Sequence, residues 1–143
     1  MKELTKEKAV ELHRKLWDEI YIFLINNKSQ VYDETNNLFP KTIDHVKRLV
    51  LKSVLYNLGQ EAYDYGFIEG SMVHVRSDCF LCEYSVICTF CPLCTINDSS
   101  VECLNGLYYK IFDSYICEYL QGSKLADNTI ELAKIIRDLP VVN

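Results

Sequence analysis

The chain has 143 residues, 49% of them hydrophobic and 24% charged, with a net charge of −5. That length suits one domain with an ordinary core, and that composition excludes a disordered tail. The acids are uneven: residues 77–143 carry four Lys/Arg against nine Asp/Glu, a surface that repels phosphate backbones.

The first predicted element is a helix from Thr5 to Asn26. Leu12, Leu16, Ile20 and Phe23/Leu24 recur at helical spacing, and Trp17 and Tyr21 widen the stripe. Thr5 is placed to cap it, Glu7 complements its dipole, and Asn26-Asn27 ends it. A polar connection over 28–41 closes at Pro40. A second helix is expected from Thr42, with one ridge of Ile43, Val46, Val50 and Val54 and another of Leu51, Leu55 and Leu58. It ends at Gly59 or runs on to Gly66. Met72 to Arg76 alternates like a short strand and leads into Cys79. A third helix is expected after Asn105, burying Leu107, Tyr108, Ile111, Phe112, Tyr115 and Ile116. A last helix, Ser123 to Asp138, would bury Leu125, Leu132, Ile135 and Ile136 before Pro140 stops it. The predicted fold is mostly α: one small helical domain over 1–143, with a cysteine-rich zinc-binding loop or short hairpin inserted at about 77–103.

No run is apolar for long enough to span a bilayer, and MKELTKEKAVELHRKLW lacks the apolar core of a secretory signal. A cytoplasmic protein with reduced thiols is therefore expected, with no membrane partner. Seven cysteines, an odd number, also suit a full set of disulfides poorly.

Five of the seven lie in CFLCEYSVICTFCPLC, residues 79–94. Cys79-x2-Cys82 and Cys88-x2-Cys91 are two C-x2-C pairs, and such turns let two sulfurs converge on one ion. Cys79, Cys82, Cys88 and Cys91 would supply the four ligands that structural zinc takes, coupling metal binding to folding. Cys94 or Cys103 can replace Cys88 or Cys91, and Cys117 reads as a bystander on the polar side of the third helix. An iron–sulfur cluster is the rival, but the proline follows the second cysteine of the run rather than the fourth. A catalytic zinc usually takes a histidine, and only His74 lies near the cluster in sequence. The deaminase pattern fails in both halves, at His74-Val75-Arg76 and at Cys91-Pro92-Leu93-Cys94. A structural metal is the better reading.

His45, Arg48 and Lys52 share one face of the second helix, and Lys41 sits just before it. The stripe is either a solvated face or a site for a phosphorylated ligand or acidic partner. Tyr56, Tyr63 and Tyr65 follow it, as core edge or as a stacking surface. No phosphate-cradling loop, Ser/His/Asp arrangement or carboxylate pair stands out.

Three stretches, ELHRKLWDEI, CFLCEYSVICTFCPL and IELAKIIRDLP, resemble small uncharacterised proteins of bacteriophages and prophages of Gram-positive bacteria. The resemblance implies a polar residue at the place of Cys94 and a counterpart of Cys103, which favours Cys103 over Cys94 as a ligand. It implies no activity. The expected function is a non-enzymatic, zinc-stabilised accessory protein. It would sequester or block a host defence component, either a nucleotide signal or a protein, with His45, Arg48 and Lys52 as the ligand-binding residues. A zinc-containing nucleic-acid-binding regulator is the second reading, and the acidic half weighs against it. A metal-dependent or redox enzyme ranks last.

Overall fold

A computed structural model describes residues 1–27, 43–85, 91–94, 111 and 127–142. The described chain is mostly helical. Its elements are α1 (Lys6–Asn26), α2 (Ile43–Leu58), α3 (Gln60–Asp64), β1 (Ile68–Glu69), β2 (Met72–Val73), a 3-10 turn (Arg76–Asp78), α4 (Phe80–Tyr84) and α5 (Asp127–Asp138).

Helix α1 is the element around which the others pack, and its sequence explains why. The Thr5 hydroxyl accepts from Lys8 N–H at 3.1 Å, satisfying one of the amides that every helix start leaves without a partner. From there Ala9, Leu12, Leu16, Trp17, Ile20 and Leu24 all point into the core. The stripe is wide enough for three neighbours, and α2, α4 and α5 all pack on it. Asn27 closes the helix, with its side-chain amide donating to Phe23 O at 2.8 Å.

Helix α2 buries Ile43, Val46, Val50 and Val54 along one ridge and Leu51 and Leu55 along the next, while Leu58 is half-buried. Gly59 ends it, at φ 60° and ψ −127°, a backbone conformation open to glycine and closed to residues with a Cβ. The chain then re-enters a short helix, α3. Of the two endings expected, the break at Gly59 is the one found.

The expected strand from Met72 to Arg76 is shorter than its alternation suggested. Only Met72–Val73 pairs, antiparallel to Ile68–Glu69, with Ile68 opposite Val73 and Glu69 opposite Met72. Gly70 turns this hairpin at φ 63°. Beyond it, Val75 stays extended and buried, but Arg76 has already entered the 3-10 turn. Tyr65 stacks on Phe67 at 5.3 Å between ring centroids, and Phe67 meets Phe80 edge-on at 5.2 Å, so an aromatic run ties the hairpin to α4.

Helix α5 covers α1 with Ile130, Leu132, Ala133 and Ile136. Ile135, expected in that stripe, is instead 40% exposed. Arg137 locks the pair from outside, reaching Asp18 at 2.7 Å with its guanidinium over the Tyr21 ring. Of the third expected helix only Ile111 is described; it is helical and fully buried. Its other residues, and Ser123 to Ala126 with Leu125, lie outside the described residues.

Candidate metal centre

The approach to Cys79 is built from two left-handed residues. Ser77 and Asp78 have φ of 54° and 51°, a region that non-glycine residues rarely enter. Helix α2 holds them there. Lys47 Nζ donates to the Ser77 carbonyl at 3.2 Å, and Arg48 Nε faces the Asp78 carboxylate at 3.5 Å. From the other side the Arg76 N–H donates to the Glu83 carboxylate of α4. The bend places Cys79 directly before α4, where Phe80 and Leu81 anchor it in the core.

The two ends of the cysteine segment carry the same turn. Cys82 N–H donates to Cys79 O at 3.1 Å, and Cys94 N–H donates to Cys91 O at 3.2 Å. Cys79, Cys91 and Cys94 are 1%, 7% and 2% exposed, and Cys82 is partly buried. None of the four is in a disulfide. The second turn is held by Val142, whose N–H donates to Pro92 O at 2.8 Å. Sequence spacing pairs Cys91 with Cys88, a pairing that lies outside the described residues, and the described turn joins Cys91 to Cys94. Cys88, Cys103 and Cys117 lie outside the described residues, as does Lys41.

Two residues at this centre were not singled out by their sequence context. His13 of α1, 1% exposed, turns its ring against Cys79. Lys47 of α2, 3% exposed, brings a positive charge to bear on the same thiol. The signal was present in both cases. His13 lies four residues after Ala9 and four before Trp17; Lys47 lies four after Ile43 and four before Leu51. A titratable side chain on a buried ridge is the pattern to look for. His74, the histidine nearest the cluster in sequence, is turned toward the hairpin, with Nε2 3.7 Å from the Glu69 carboxylate.

The Cys79 thiol is pushed up to about 11, first by its hydrogen bond with Cys82 and then by burial. The His13 ring and the Lys47 ammonium pull it down by less. A thiol so buried and so protonated is no nucleophile at neutral pH. Among the described residues, no group of three or more His, Cys, Asp or Glu side chains is gathered closely enough to hold a metal ion. What the described residues do bring together is the Cys79–Cys82 pair, the His13 ring beside it, and a second turn of the same form in the same core.

The basic stripe is intact as a surface. His45, Arg48 and Lys52 are all exposed on α2. Arg48 also serves the fold, pairing with Asp44 at 3.0 Å as well as with Asp78. Tyr65 is core, whereas Tyr56 and Tyr63 are 84% and 51% exposed. A double Arg48→Ala, Lys52→Ala variant is expected to keep its helical circular dichroism and lose no more than about 1 kcal/mol, the usual worth of exposed pairs. A larger loss in urea unfolding would make the stripe a structural brace of the Ser77–Asp78 bend.

Among the described residues, no helix is long and apolar enough to cross a membrane. Comparison of the chain with protein families, with curated proteins and with solved structures finds no match.

Proposed function

We propose that this protein is a zinc-stapled, non-enzymatic binding protein whose metal is structural. The observation that carries the reading is the matched pair of buried turns, Cys79 to Cys82 and Cys91 to Cys94, each closed by the same backbone hydrogen bond. Zinc takes thiolate sulfur and imidazole nitrogen in closed tetrahedral sets. The donors here are of those types, and the buried His13 ring lies against the Cys79 thiol. Cys79 and Cys82 hold the ion, and the remaining thiolates come from among Cys88, Cys91, Cys94 and Cys103. An ion at these sulfurs would sit inside the core, away from any substrate in solution, which is the setting of a staple rather than a Lewis acid. The partner implied by the resemblance to phage and prophage proteins is a host component, a defence nucleotide signal or a defence protein. The His45, Arg48 and Lys52 face is the place where an anionic one would bind.

Purified protein is expected to contain about one zinc per chain, as a closed structural site requires. Elemental analysis without zinc, or an iron-type visible absorption in protein prepared anaerobically, overturns the reading.

A further inference from the structure

The outer face of α2 is not uniformly polar, as a solvated helix face would be. His45, Leu49, Lys52 and Tyr56 follow one another at four, three and four residues and so form one row along the solvent side. Leu49 in that row is 42% exposed. On the neighbouring α1, Ile22 and Ile25 are 48% and 43% exposed, outside the buried stripe of that helix. Ile22 and Leu49 stand on the two walls of a surface groove of about 330 Å³, which half-buried Phe23 and buried Val50 also line.

The two walls carry opposite charges. Lys8 at the start of α1 pairs with Glu61, just beyond the end of α2, at 3.5 Å, so the two helices run in opposite directions. Glu19, half-buried on the α1 wall, therefore stands level with Ser53, whose neighbour Lys52 tops the α2 wall. Neither Glu19 nor Lys52 has a hydrogen bond or ion pair among the described residues. Arg48 belongs to the other flank of α2, where Asp44 and Asp78 hold it. We propose that this groove is a dimer interface, covered by the same groove of a second copy of the chain.

A two-fold axis along the groove sets the α1 wall of one protomer against the α2 wall of the other. Each Glu19 then faces the partner subunit's Lys52, twice over by symmetry, while Ile22 and Leu49 leave water together. The charges favour a second copy over other occupants. A phosphate chain or an acidic helix finds one matching wall and meets Glu19 on the other, whereas a copy of the same groove matches both. The inference stands apart from the zinc reading, and Arg48 stays outside the contact.

Sedimentation equilibrium of the purified protein, from about 1 to 500 μM, tests the interface. The groove is small and each chain carries a net charge of −5, so a weak dimer is expected, with an average mass that rises with concentration. Glu19→Lys and Lys52→Glu each set like charges across the contact, and each is expected to raise the dissociation constant at least about 10-fold. The double variant, Glu19→Lys with Lys52→Glu, exchanges the walls and is expected to return to within about 3-fold of the wild type. Leu49→Lys, at an exposed position, is expected to abolish the dimer and keep the helical circular dichroism. A wild type that stays monomeric throughout overturns the proposal and leaves the groove to a different protein. A dimer that survives Leu49→Lys, or a double variant no tighter than the single ones, overturns this groove as its interface. If Glu19→Lys does not fold, Lys52→Glu and Leu49→Lys decide.

Discussion

The Cys82→Ser variant is expected to melt about 10 °C or more below the wild type, a loss of about 3 kcal/mol or more for a chain of this size. The sequence around it cannot make up such a loss. Helix α4 has five residues and the turn before it has three, both too short to be stable alone. That turn also holds Ser77 and Asp78 at positive φ, which costs rather than supplies stability. The segment is held by a few anchors, Phe80, Leu81 and Leu93, and on the zinc reading by the metal. Serine nearly matches cysteine in size, so packing changes little while a thiolate is lost. Wild-type protein treated with a strong chelator should melt with the variant. A Cys82→Ser protein as stable as the wild type, by calorimetry, would remove the structural role of metal here.

A second large effect is expected from Trp17→Ala, about 3–5 kcal/mol in urea unfolding, the range for deleting a large buried aromatic. Trp17 is fully buried on α1, the helix that α2, α4 and α5 share. A cavity there cannot be closed by one neighbour moving in, because each neighbour is also held by the others. Tyr56→Ala, at a residue 84% exposed on α2, is the control and should stay within about 0.5 kcal/mol. Similar losses in the two variants would mean that α1 is not the centre of the core.

The helices were legible because their signals were local. Thr5, the stripe from Leu12 to Leu24 and the ridges of α2 follow from spacing alone, and each is found where its spacing placed it. Ile135 was misread because the last helix was assigned a stripe from four residues. Its buried arc runs through Ile130, Leu132, Ala133 and Ile136, and Ile135 falls on its margin. The strand after Met72 was overextended because alternation says nothing of the bend at Ser77, which depends on Lys47 and Arg48 arriving from another helix. The candidate site was half legible. Cys79 and Cys82 declare themselves by spacing, whereas His13 and Lys47 reach the centre only through tertiary packing. Their isolation in sequence is the reason they were passed over.

The bond from His13 to Ile136 spans 123 positions of sequence. During synthesis α1 emerges first, and the carbonyl that orients His13 emerges only after most of the chain has left the ribosome. Until then the apolar face of α1 has no α5 to cover it, and the imidazole is free to rotate. Folding that waits on such distant pairs is slow, and its exposed intermediates are prone to associate. On the zinc reading, metal that arrives before α5 docks would meet thiols not yet brought together. The docking of α5 on α1 is therefore the late step that fixes the His13 ring and closes the core.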